Sequence, residues 1–261
     1  MQRVALLEPV LKRDRAMVLA GLFALTALAW AYVAHLAQGM SGAGMDMSLP
    51  QMQSWGFTDF ILMFVMWTVM MVAMMVPSAT PMVVMFSNVS RRRRERQQPY
   101  VPTGVFLLGY ALVWTGFAAL ATVANWGLHV NSFLSSMMGE STSPILGGGL
   151  LVSAGLFQWT RLKYACLTKC RSPLGFIMSE WRDEYIGVLS MGMKHGVYCL
   201  ICCWALMALL FVLGVMNLLW IAALAGLVLI EKVGPQGHWF SRMTGLGLIG
   251  WGALMLSGYL N

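Results

Sequence analysis

Charge is scarce in this chain: Asp, Glu, Lys and Arg make up 10% of its 261 residues, against 59% hydrophobic residues and a mean hydropathy of +0.70. That leaves too little polar surface to coat a water-soluble globule of this size. Histidine is also sparse. The four histidines, His35, His129, His195 and His238, are too few and too scattered for the His-box di-iron sites of membrane desaturases, and their split between the two faces of the expected membrane argues against two-haem ligation by facing helices. No P-loop, no dinucleotide-binding Gly-rich turn and no HExxH is present, so nucleotide and zinc-protease chemistry lack their usual carriers. There is no linker long enough to divide the chain and no internal repeat, so residues 1–261 read as a single helical domain.

The hydrophobic residues gather into runs of the length that a helix needs to cross a bilayer, about 20 residues for about 30 Å of hydrocarbon. Seven spans are expected: Ala16 to Ala37, Phe57 to Val76, Thr103 to Asn125, Ile145 to Leu162, Gly196 to Met216, Leu218 to Val233 and Trp239 to Tyr259. The fold class is therefore all-α, a polytopic transmembrane bundle. The first span is over-long for a signal peptide and reads as a retained anchor. The sixth is the shortest, with its purely apolar part ending at Ile230; a re-entrant hairpin with the fifth is the alternative.

All seventeen Lys and Arg residues fall before the first span, in the loops after the second, fourth and sixth, or within the span ends bordering those loops (Arg161, Lys232 and Arg242), while residues 38–56 and 126–144 contain none. The positive-inside rule then puts the N-terminus in the cytoplasm and the C-terminus outside. The net charge of +7 follows from this topology and from contact with anionic lipid, which removes the case for a nucleic-acid partner. Between Lys163 and Lys194, Trp181 to Tyr185 are expected as an interfacial helix.

The five cysteines form two groups, Cys166 with Cys170 and Cys199 with Cys202 and Cys203, both at the cytoplasmic end of the expected bundle. The cytoplasm keeps thiols reduced, so clustered cysteines there suit metal binding or redox work better than structural disulfides. On one helix His195, Cys199, Cys202 and Cys203 span an arc of roughly 100°, and thiolate with imidazole suits Cu(I) or Zn(II). Packing alone also accounts for any single cysteine of the set. Cys166 and Cys170 share a helix face at i, i+4, before Ser172 and Pro173 stop the helix.

Methionine is abundant, at 23 residues. In the second span Met63, Met66, Met70 and Met74 step along one face over roughly 16 Å, a ladder of weak soft donors suited to passing Cu(I) along. Core packing is the competing reading. Met45 and Met47, with Met40, Met52, His35 and Asp46, crowd a Gly-rich outer stretch and are candidate Cu(I) collectors. Pro77 and Pro81 are expected to break or kink the second span, freeing the carbonyls of Ala73 and Pro77. Glu231 and Lys232 close the sixth span; Glu231 is a candidate oxygen ligand or ion-pair member, and Lys232 reads as an ordinary helix end before Gly234 and Pro235. The Gly192 to Gly196 spacing permits close helix contact.

The run Met66-Trp67-Thr68-Val69-Met70-Met71-Val72-Ala73-Met74-Met75-Val76-Pro77-Ser78-Ala79-Thr80-Pro81, the segment Gln158 to Lys163 continuing to Cys166 and Cys170-Arg171-Ser172-Pro173, Cys199 to Trp204 with Met207, and Glu231-Lys232 resemble an uncharacterised bacterial family of predicted metal-binding integral membrane proteins. The likeness runs over most of the chain from the second span onward. Cys199-Leu200-Ile201-Cys202-Cys203 departs from that family's glycine-containing Cys element. The resemblance implies metal binding in a multi-pass protein of the bacterial inner membrane. Together with the residues it suggests a non-enzymatic protein that binds copper, or zinc, for transport across the bilayer or for delivery to a copper enzyme. An accessory subunit of a larger membrane complex is the alternative. A membrane thiol oxidoreductase is disfavoured, since the thiols face the reducing side and offer no CxxC beyond Cys199 to Cys202.

Overall fold

The computed structural model describes residues 2–42, 56–130 and 144–258, and among them all regular structure is helical. The helices are α1 (Gln2–Gly42), α2 (Phe57–Glu95), α3 (Thr103–Val130), α4 (Pro144–Phe157), α5 (Arg161–Arg171), α6 (Pro173–Glu180), α7 (Tyr185–Ala208), α8 (Leu210–Leu213), α9 (Leu218–Val233) and α10 (Gly237–Leu256). Among the described residues four stretches are long and apolar enough to cross a membrane: Arg15–Gln38, Phe57–Glu95, Thr103–Leu128 and Tyr185–Leu213. α9 spans the same residues as the sixth expected span, and α10 nearly those of the seventh. α4 stops at Phe157 and not at Leu162, because Gln158 to Thr160 turn and Thr160 then caps α5 by accepting from the Lys163 backbone N–H. α7 starts eleven residues before the expected fifth span and gives way to α8, beyond which the chain turns at Gly214 with φ 94°.

α2 organises the bundle. Its buried residues fall in two adjacent rows of step four, Met66, Met70, Met74, Ser78, Met82, Phe86 and Trp67, Met71, Met75, Ala79, Val83, so one broad face turns inward. Against expectation the helix runs through Pro77 and Pro81 without a break. The physical reason is local repair. The Ala73 carbonyl that Pro77 deprives of its partner accepts instead from the Trp30 indole N–H of α1 at 3.1 Å. At 39 residues α2 is about 58 Å long, nearly twice the length that a single crossing of about 30 Å of hydrocarbon requires.

The C-terminal part of α2 is tied down. Phe86 stacks on Phe106 and Trp181 at centroid distances of 4.9 and 5.4 Å, and Arg93 lies over Trp181 and pairs with Asp183 at 2.5 Å. Trp181 to Glu184 are not helical, which corrects the interfacial helix expected there; the indole is held by this stacking.

α2 packs against α1, α3 and α9, α3 against α7, α4 against α10, and α5 against α7. α3 and α7 cross at Gly109 and Gly192. A Cβ on Gly109 would lie 2.9 Å from the Met193 backbone nitrogen and 3.1 Å from Gly192 Cα, so only glycine permits this approach. Gly196 meets Val113 of α3 one turn further on, as the Gly192 to Gly196 spacing suggested. The next turn of α7 carries the cysteines.

Candidate metal centre

Cys199, Cys202 and Cys203 are buried on α7, and the Cys202 and Cys203 thiols donate back to the Cys199 carbonyl at 3.1 and 2.9 Å. Four other elements converge on them. From α2, Met75 Sδ lies 4.0 Å from Cys203 Sγ. From α3, the Tyr110 hydroxyl is 3.1 Å from Cys199 Sγ and donates to the Met75 carbonyl at 3.3 Å. From α5, Cys170 exchanges a hydrogen bond with Cys202, and Cys166 is buried beside it. From α9, Lys232 donates to Cys199 Sγ at 2.7 Å and lies 3.9 Å from Cys203 Sγ and 3.5 Å from Ser78 Oγ. Cys166 and Cys170 lie outside the expected spans; there the hydrogen bond to Cys202, followed by burial, raises Cys170 well above the ordinary thiol range, and burial raises Cys166. The two cysteine groups, far apart in sequence, thus form one cluster.

His195 is 3% exposed between the rings of Phe106, Tyr110 and Phe176, at centroid distances of 6.0, 5.6 and 5.6 Å, and its Nδ1 has no hydrogen-bond partner. An orphaned buried ring nitrogen one turn before Cys199 is what a latent ligand looks like. His238 lies elsewhere, stacked 4.1 Å from Tyr164; burial, with Arg171, Arg242 and Lys163 nearby, lowers its pKa.

Glu231 goes to a different partner. Its carboxylate pairs with Lys163 Nζ at 2.8 Å, both groups almost wholly buried, while Lys163 also donates to Gln158 Oε1 and Ser241 donates to the same oxygen at 3.0 Å. Arg171 covers the α9 end by donating to the carbonyls of Glu231 and Gly234 at 2.5 and 2.6 Å. One carboxylate oxygen, Oε1, keeps no partner.

Of the α2 ladder, Met66, Met70 and Met74 are buried in the core that also holds the cysteines, and half-buried Met63 accepts from the Asn125 amide at 3.1 Å. Met45 and Met47 lie outside the described residues. Sequence reasoning missed Met75, Tyr110, Lys163 and the role of Lys232. The signal for Met75 was its place in the second row of step four; for Lys232 it was a cation joined directly to a purely apolar helix.

Among the described residues no three His, Cys, Asp or Glu side chains already converge tightly enough to hold a metal ion. The donors nonetheless suit a soft one: three adjacent thiols, a thioether within reach of one of them, a fourth thiol bonded to Cys202 and an unpartnered imidazole nitrogen.

Long apolar helices around a buried thiol–thioether cluster define an all-helical, membrane-compatible protein with a soft-metal donor set. The chain belongs to the PpoB2 family, described as a copper chaperone, whose family model matches residues 64–255. The metal-related family suggested by the motifs is thereby a copper-handling one. No curated protein and no solved structure matches the chain.

Proposed function

We propose that this protein is a multi-pass membrane copper chaperone that holds Cu(I) on Cys199, Cys202 and Cys203, with Met75 and Cys170 as neighbouring sulfur donors and His195 as the nitrogen donor, and hands the ion to a copper enzyme. The observation that carries the reading is the gathering of α2, α3, α5, α7 and α9 around those thiols. In this reading the chain crosses the inner membrane seven times with the N-terminus and all basic loops in the cytoplasm, and the cluster lies near the cytoplasmic surface. Cu(I) is favoured over Zn(II) because thioether and thiol outnumber imidazole and the one carboxylate nearby is engaged by Lys163.

A second reading, passage of copper across the bilayer, is supported by the buried Met66, Met70 and Met74, which lead along α2 towards Met75. The test is metal content of detergent-purified protein after growth with copper and zinc, in wild type and in a Cys199→Ser, Cys202→Ser, Cys203→Ser variant. About one copper per chain, lost in the variant, is expected; no copper in the wild type, or zinc in its place, overturns the reading. Copper uptake into proteoliposomes separates passage from hand-over.

A further inference from the structure

Lys232 is in an unusual position for a lysine. It is 7% exposed, in the last turn of α9, and its ammonium faces Cys199 Sγ, Cys203 Sγ and Ser78 Oγ. Among the described residues no carboxylate pairs with it, because its neighbour Glu231 is taken by Lys163. A buried ammonium is costly unless its surroundings answer its charge. Here the polarizable sulfurs, above all Cys199, fill that role. The thiol cluster therefore already contains a monovalent cation, supplied by the protein.

Cu(I) is also monovalent and seeks the same sulfurs. With Nζ 2.7 Å from Cys199 Sγ, an ion arriving on that sulfur meets a like charge at close range, which opposes its binding while the ammonium stays. A lysine on a flexible four-carbon stem is suited to leaving and returning, as a rigid guanidinium is not.

Building on the copper-binding reading above, we infer that Lys232 is the cation occupying the thiol cluster between cargoes, and that copper loading displaces its ammonium from Cys199. The exchange is redox-neutral: copper enters and leaves as Cu(I), each thiol that becomes a thiolate ligand releases its proton to solvent, and Lys232 keeps its own. Lys232 thus positions the cluster and weakens its hold on the ion, which suits transfer over storage. On release the thiolates take protons back from solvent and the ammonium refills the site.

The test is competition for Cu(I) against a chromophoric Cu(I) chelator, with wild type, Lys232→Met and Lys232→Gln purified as full chains in detergent. Both variants remove the charge, and Gln keeps a hydrogen-bond donor for Cys199 where Met does not fold. The expected result is Cu(I) held at least about tenfold tighter by either variant, with slower release to the chelator. Affinity equal to or weaker than wild type overturns the inference while leaving copper binding intact. No Cu(I) binding by the wild type instead removes the reading on which it rests. In the wild type alone, nitrogen-15 NMR of lysine-labelled protein should show one ammonium signal moving when diamagnetic Cu(I) is added; no movement overturns the displacement.

Discussion

Lys163 and Lys232 meet at the same end of α9, both almost excluded from solvent, yet they are satisfied in opposite ways. Lys163 has a carboxylate at 2.8 Å, and its amide partner Gln158 is itself held by Ser241. Each member of that knot has a polar partner, and Arg171 closes it by covering the helix end. Lys232 has two sulfurs and a distant hydroxyl. A cation matched by a carboxylate has nothing to gain by leaving. A cation matched by sulfur competes with any softer ion that reaches the same atoms. The first arrangement fixes the fold, and the second leaves a site open to exchange, although the two lysines belong to one corner of the bundle.

The largest expected effect breaks the first half of that contrast. Glu231→Gln leaves Lys163 as an uncompensated buried charge and should cost about 3–5 kcal/mol, read as a shift in denaturation in mixed micelles. The double change Lys163→Met with Glu231→Leu removes both charges and should recover most of this, with copper binding retained. A Glu231→Gln protein as stable as wild type would mean that Gln158 alone satisfies Lys163, and the contrast between the lysines would disappear.

Much of this corner was legible in the sequence, but only one chain segment at a time. The arc of His195, Cys199, Cys202 and Cys203 follows from helical periodicity, and the structure keeps all four on α7. The bounds of α9 follow from its unbroken apolar run. What periodicity does not carry is which helix faces which. Lys232 meets Cys199 across 33 residues and Met75 meets Cys203 across 128, and both contacts depend on how α2, α7 and α9 are packed. Lys232 read as a helix end because Gly234 and Pro235 do end the helix; that the end is buried comes from Arg171, which covers the final carbonyls. Pro77 misled for a similar reason. The residue that compensates it, Trp30, lies on another helix.

Met75→Leu sharpens the other half of the contrast. Leucine fills nearly the same volume, so stability should fall by less than about 1.5 kcal/mol, while Cu(I) affinity falls several-fold because the thioether beside Cys203 is gone. Met66→Leu, about two and a half turns back along α2, is the control. Equal losses of affinity from the two would assign copper to the whole methionine face; a loss confined to Met75 assigns it to the cluster. Chelator competition on both variants decides between them.

The smallest effect concerns the serine hydroxyl beside Lys232. Ser78 Oγ already donates to the Met75 carbonyl at 2.9 Å, and its 3.5 Å separation from Nζ is at the outer limit of a hydrogen bond. If the sulfurs are what hold the ammonium, Ser78→Ala should cost no more than about 0.5 kcal/mol and leave Cu(I) affinity unchanged, since the neighbouring helix carbonyl keeps its backbone partner. A loss of several kcal/mol would show that Lys232 is anchored by the hydroxyl. It would then resemble Lys163, a cation with a fixed oxygen partner, and Cys199 would be a neighbour of the ammonium without being its counterpart. Denaturation of this variant beside Cys199→Ala therefore measures which of the two atoms keeps Lys232 inside.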